Sequence, residues 1–215
     1  DLIFGLPFQT LESFESNLNK TLKLDVQHVS IYGLTFEEGT KIEQQRQKKL
    51  FTETDEETTI LMYQMAIEKL TSNGFEHYEI SNFAKPKMHS KHNSSYWNGT
   101  HYLGIGSGAH SYNGTSRQWN ICDTKKYCSL HNYFETEKLS ISDIYNELII
   151  TNLRKKEGID LRFIEQTFEE KFYNHCKKMA QNFVDNNLLE EKNNHLELTQ
   201  KGILLSDNII QNLMI

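Results

Sequence analysis

No stretch of this 215-residue chain approaches the roughly 18 consecutive apolar residues that a membrane-crossing helix needs, and no basic-then-apolar leader opens it. A cytoplasmic location without a transmembrane segment is therefore expected. An excess of basic residues is lacking too: 23 Lys and Arg face 29 Asp and Glu, a formal charge of -6. That balance repels a phosphate backbone and speaks against general nucleic-acid binding. Cysteine is sparse: Cys122, Cys128 and Cys176 stand in no ligand spacing, and Cys122 to Cys128 is too wide for a zinc knuckle. They read as reduced thiols. There is no internal repeat and no low-complexity tract. What remains, with 37% hydrophobic residues, is enough for one large domain or two modest ones.

The first residue is Asp1 rather than Met, and the chain opens directly on the apolar run Leu2-Ile3-Phe4, so it is expected to be part of something longer. Thr10 caps a helix whose Leu11, Phe14, Leu18 and Leu22 share one face, and Val26 to Leu34 alternates like a strand. This β-α-β order favours parallel strands. Phe36 to Phe51 reads as a solvated connection or loose helix. Thr54-Asp55-Glu56-Glu57 reads as a capping box opening a helix to about Leu70, with Ile60, Tyr63, Ile67 and Leu70 as its core stripe and Asn73-Gly74 as its stop. Phe75 to Phe83 then resumes as a strand.

From about Ser140 the helices lengthen and glycine thins out. Ile144, Leu148 and Thr151 mark one face, Phe163 to Asn186 carries a second helix, and His195 to Thr199 is a short strand leading through Gln200-Lys201-Gly202 into a last helix. Helices followed by a small strand resemble a winged-helix module. Residues 140–215 hold nine Lys and Arg against twelve Asp and Glu, so a scaffold or docking role is favoured over DNA binding. The domain boundary is placed near 115 to 140, dividing 1–120 from 121–215.

The chemistry concentrates in His92-Asn93-Ser94-Ser95-Tyr96-Trp97 and in Gly104-Ile105-Gly106-Ser107-Gly108-Ala109-His110-Ser111. An imidazole, two large aromatics and a glycine-dense loop in so short a span fit a flat ligand gripped by the histidine and approached closely by backbone. The glycines lack the G-x-G-x-x-G spacing and the acidic residue of a dinucleotide site. They serve either a close approach to a cofactor or a purely structural tight turn. His89, three residues before His92, sits in a Lys-rich stretch with no helical signal, and the other histidines show no ligand spacing or carboxylate partner.

Four motifs carry a resemblance: Asp1 to Thr10 (Asp-Leu-Ile-Phe-Gly-Leu-Pro-x-Gln-Thr), Tyr78 to Ala84 (Tyr-Glu-Ile-Ser-Asn-Phe-Ala), His92 to Trp97 (His-Asn-x-x-Tyr-Trp) and Tyr102 to Ser111 (Tyr-Leu-Gly-Ile-Gly-Ser-Gly-Ala-His-Ser). In this order they resemble the HemW family of haem chaperones, relatives of oxygen-independent coproporphyrinogen III oxidase among the radical SAM enzymes. The resemblance implies an α/β fold: the C-terminal part of a radical SAM partial (β/α) barrel, followed by a mostly helical, winged-helix-like C-terminal domain. It implies S-adenosylmethionine and a 4Fe-4S cluster, yet the family's Cys-x-x-x-Cys-x-x-Cys loop does not occur here. An absent N-terminal half explains this better than a natural remnant, and the polypeptide alone is not expected to perform radical chemistry.

By position the resemblance assigns Asp1, Thr35 and His110 to S-adenosylmethionine; for Asp1 a capping or surface role is the alternative. It assigns His92 to haem iron, with Asn93 orienting the imidazole and Tyr96 and Trp97 stacking on or flanking the porphyrin. The favoured function is haem binding and transfer to an acceptor protein whose identity the sequence does not give; a homodimer is left open. Oxidative decarboxylation of coproporphyrinogen III is the alternative, and a scaffold that binds nothing is the third reading. A neutral imidazole on iron predicts affinity that falls as pH drops through the histidine titration.

Overall fold

A computed structural model describes residues 1–129 and 134–215, and its contacts divide into two units, Asp1–Ser90 and Lys91–Ile215. The first unit is a four-stranded sheet with helices against it. Strand β1 (Leu2–Phe4) runs parallel to β2 (His28–Gly33), joined through helix α1 (Leu11–Lys23), as the β-α-β reading requires. The Thr10 hydroxyl accepts from the Ser13 amide while Ser13 reaches back to the Thr10 amide, and α1 buries Phe14 and Leu18 completely. Helix α2 (Lys41–Gln47) gives the polar connection a defined turn, started by Thr40.

Helix α3 (Glu56–Ser72) starts one residue later than the capping pattern predicts: Asp55, not Thr54, accepts from the Thr58 amide, and the Thr54 hydroxyl instead donates to the Leu6 carbonyl. Its core face centres on Met62, Tyr63, Ala66 and Leu70 rather than on Ile60 and Ile67, which are half-buried. Gly74, at φ +80, ends the turn in the left-handed conformation expected of it.

The stretch Phe75 to Phe83 is not one strand. It folds into β3 (Glu76–Glu79) and β4 (Asn82–Ala84), an antiparallel hairpin turning at Ile80-Ser81, and the sheet order is β1-β2-β4-β3. Because β2 alternates, Val29 and Ile31 belong to the apolar core while Ser30 falls on the other face. There Ser30 donates to Asn82, and Asn82 donates to the buried carboxylate of Glu79.

The second unit opens with helix α4 (Lys91–Trp97), then an antiparallel meander of β5 (His110–Tyr112), β6 (Ser116–Asn120) and β7 (Phe134–Lys138), with α5 (Thr124–Ser129) between the last two strands. A mostly helical module follows: α6 (Ile141–Leu153), β8 (Ile159–Asp160), α7 (Leu161–Thr167), α8 (Glu170–Asp185), the hairpin β9 (Leu189–Lys192) and β10 (His195–Leu198), then α9 (Gln200–Ile203) and α10 (Ser206–Leu213). Helices against a three-stranded β8-β10-β9 sheet give the winged-helix-like form.

Tyr145, Ile149 and Leu153 of α6 bury against Phe172, Cys176 and Leu213, and the Tyr145 hydroxyl donates to the Leu213 carbonyl at 3.1 Å. The predicted stripe of Ile144, Leu148 and Thr151 is a second face of the same helix. Phe163 to Asn186 breaks into two helices at Phe168, whose side chain turns into the core. Among the described residues no helix is long and apolar enough to cross a membrane.

Candidate functional site

The His-Asn-x-x-Tyr-Trp residues are helical, which their polar sequence does not announce. Helix α4 puts positions four apart on one side, so the His92 ring meets Tyr96 edge-on with centroids 5.2 Å apart. Tyr96 in turn meets Tyr102 edge-on at 5.0 Å. Adjacent helical positions do not face each other, and Asn93 lines a cavity that His92 does not line.

That cavity, about 830 Å³, lies inside the second unit, between α4 and the second face of α6. Its volume is within the ~300–1,000 Å³ of sites that enclose cofactor-sized molecules. Aromatic walls come from Tyr96, Trp97, Tyr102, Tyr112, Phe163 and Phe168, and aliphatic ones from Ile144 and Leu148. Three of the four residues assigned to the porphyrin, Asn93, Tyr96 and Trp97, thus line one space, and His92 stands beside it with its imidazole exposed. The arrangement fits a flat apolar disc with a metal at its centre: large π faces for the ring and an accessible nitrogen base for the metal.

The polar groups of the wall are mostly spoken for. Arg117 donates to Glu147 at 2.5 Å and to the Tyr102 hydroxyl at 3.2 Å, and its guanidinium lies 5.0 Å from the Tyr112 ring centre. The hydrogen bond to Glu147 holds the Arg117 charge more firmly than usual, while burial pushes the Tyr112 hydroxyl up. Asp160 caps α7 through the Arg162 and Phe163 amides. Lys155, just beyond α6, reaches the Asn98 side-chain oxygen at 3.3 Å, and burial holds its ammonium below the usual lysine range. The indole N–H of Trp97 is buried with no acceptor among the described residues.

The glycine loop is held by its own backbone. A Cβ on Gly104 would stand 2.1 Å from the His110 carbonyl oxygen, so the close approach at this position is loop backbone against β5. The buried Asn120 amide clamps the loop by donating to the Gly104 and Gly106 carbonyls. Gly106, by contrast, faces open space. His110 is exposed on β5, tilted over Trp119.

Asp1 and Thr35 belong to the first unit and are both exposed. Leu2 pairs with Ile31 and Phe4 with Gly33 in parallel, so Asp1 precedes the first rung and Thr35 follows the last. The structure sets these two at opposite ends of the sheet.

The residues present do not fit an iron-sulfur cluster. Cys122 and Cys128 are exposed, Cys176 is buried with its thiol pushed up to about 11, and among the described residues no group of three His, Cys, Asp or Glu converges.

Sequence reasoning missed the helical form of the motif, and with it Lys155 and the Arg117–Glu147 pair, which only the fold brings to α4. The signal was there in part: Lys91 to Trp97 contains no Gly or Pro to interrupt a turn. It also missed that His89 has a carboxylate partner, Glu76 at 2.7 Å, and stacks on Tyr78.

Comparison with known proteins agrees with this architecture. Residues 139–205 match the HemN C-terminal domain family. The chain is 32% identical over 97% of its length to the heme chaperone HemW of Bacillus subtilis and 31% identical over its full length to that of Lactococcus lactis, covering 56% and 58% of those proteins. Over about half its length it is 38% identical to the mitochondrial radical S-adenosyl methionine domain-containing protein 1 of Danio rerio, covering 25% of that protein. Its fold matches the coproporphyrinogen III oxidase HemN of Escherichia coli, a radical SAM enzyme, with a TM-score of 0.79 over the whole chain and 54% of that enzyme at 22% identity. The chain spans little more than half the length of these HemW proteins, is similar to them in sequence over nearly all of itself, and shares the HemN fold throughout.

Proposed function

We propose that this chain is the haem-binding portion of a HemW-type chaperone, which holds haem and hands it to an acceptor protein. The observation that carries the reading is the placement of Asn93, Tyr96 and Trp97 in the wall of one aromatic cavity with the exposed His92 imidazole beside it. In this reading His92 supplies the iron ligand, Tyr96 and Trp97 cover the ring, and Asn93 offers an amide at the wall. An exposed ligand and a cavity open to solvent suit a protein that releases its cargo.

For the full-length protein the reading includes S-adenosylmethionine and a 4Fe-4S cluster whose ligands lie outside this chain; with Asp1 and Thr35 at opposite ends of the β1–β2 pair, Asp1, Thr35 and His110 are separate candidate contacts to S-adenosylmethionine rather than one assembled site. A cytoplasmic location and an acceptor protein of unknown identity accompany it, and a homodimer is a further proposal.

Haemin titration tests the reading. The chain is expected to shift the Soret band with saturable stoichiometry, and His92→Ala to lose that shift. A Soret shift that survives unchanged in His92→Ala contradicts imidazole ligation. Turnover of coproporphyrinogen III by the full-length protein with its cluster would favour decarboxylation instead; the likeness to HemN that supports this second reading concerns the fold alone.

A further inference from the structure

Among the described residues, the cavity beside α4 has one cation without a carboxylate in reach. Arg117 is neutralised by Glu147 at 2.5 Å, but Lys155 has no carboxylate within salt-bridge distance among the described residues, and its Nζ meets only the Asn98 amide oxygen at 3.3 Å. A half-buried ammonium in an aromatic-walled space is poorly solvated. Burial accordingly lowers its proton affinity, and Glu157, two residues on, opposes this only in part. Next to Asn98 in the chain is Trp97, whose indole N–H is buried without an acceptor among the described residues. The uncompensated Lys155 cation at this end of α4 marks a place that an anion would complete.

Their position gives the anion a shape. Asn98 lies six residues past His92, about 9 Å along a helix that rises ~1.5 Å per residue. The base that would take a metal and the cation that would take a carboxylate therefore stand at opposite ends of one aromatic strip, Tyr96 and Trp97. A disc with a central metal and carboxylates on its rim meets both.

We propose that Lys155 is the carboxylate anchor of this cavity and binds a propionate of the haem through a charge-assisted hydrogen bond. This rests on the haem-binding reading above. It adds a specificity determinant contributed by the C-terminal module.

The test compares haemin with haemin dimethyl ester, whose propionates carry no charge, titrated into the wild-type chain and into Lys155→Gln, Lys155→Arg and His92→Ala. The wild type is expected to prefer haemin over the ester by about tenfold. Lys155→Gln should abolish that preference by weakening haemin binding alone, and Lys155→Arg should restore most of it. A preference for haemin that survives in Lys155→Gln, or an equal loss for both ligands, overturns the anchor while a His92-dependent spectrum leaves the haem reading intact. Haemin binding that His92→Ala does not alter overturns the haem reading itself, and the anchor with it.

Discussion

Gly104 is a residue at which backbone geometry leaves little freedom, since a Cβ would stand 2.1 Å from the His110 carbonyl oxygen and 2.8 Å from its amide nitrogen. Gly104→Ala should push the loop off β5 and break the Asn120 clamp; loss of near-ultraviolet circular dichroism and a lower Tm are expected, and an unchanged Tm would contradict the close approach. His28 gives a second residue-level expectation. Burial lowers its pKa from the ordinary 6.5, with Glu79 opposing, and its Nε2 lies 2.8 Å from the Tyr78 hydroxyl. Unfolded chains bind that proton more readily, so below about pH 6.5 the unfolded state holds more protons and stability falls with acidification, while above it the contribution is complete. Urea midpoints measured from pH 7.5 to pH 5.5 should decline, and His28→Gln should make the decline shallower; parallel curves would rule the residue out as a source.

Helix α6 carries the division of labour at the next scale. Its Tyr145, Ile149 and Leu153 are buried in the module core, whereas Ile144, Leu148 and Thr151 face the cavity. Ile149→Ala should cost about 2–5 kcal/mol of stability through the cavity it leaves and change haemin affinity little. Thr151→Trp should do the opposite, narrowing the site with only a small change in Tm. Urea unfolding and haemin titration of the two variants separate these outcomes.

The sequence displayed only half of this. Its period picked out the Ile144 stripe because apolar residues recur there at helical spacing, but a helix apolar on two faces gives no hint of which one meets the core. The Thr10 cap and the parallel β1–β2 pair were legible because each rests on contacts within some thirty residues. The β3–β4 hairpin was not, since its turn at Ile80-Ser81 uses neither Gly nor Pro and both arms are strand-like. Of the site, the motif residues could be read in order. Their neighbours Arg117, Glu147 and Lys155, 20 to 58 residues past Trp97, become visible only once α6 folds beside α4.

At the scale of the whole molecule, a chain with a formal charge of -6 is expected to take an anionic porphyrin only where local cations and aromatic area overcome general repulsion. The second unit supplies that combination beside α4, and the likeness to HemW proteins over nearly the full chain makes haem the cargo to test. Replacing His92 by glycine and then adding free imidazole is the most direct trial. The account predicts that His92→Gly loses the Soret and visible bands of an imidazole-ligated haem and regains them as imidazole fills the vacated position. A His92→Gly spectrum identical to that of the wild type before any imidazole is added would contradict it.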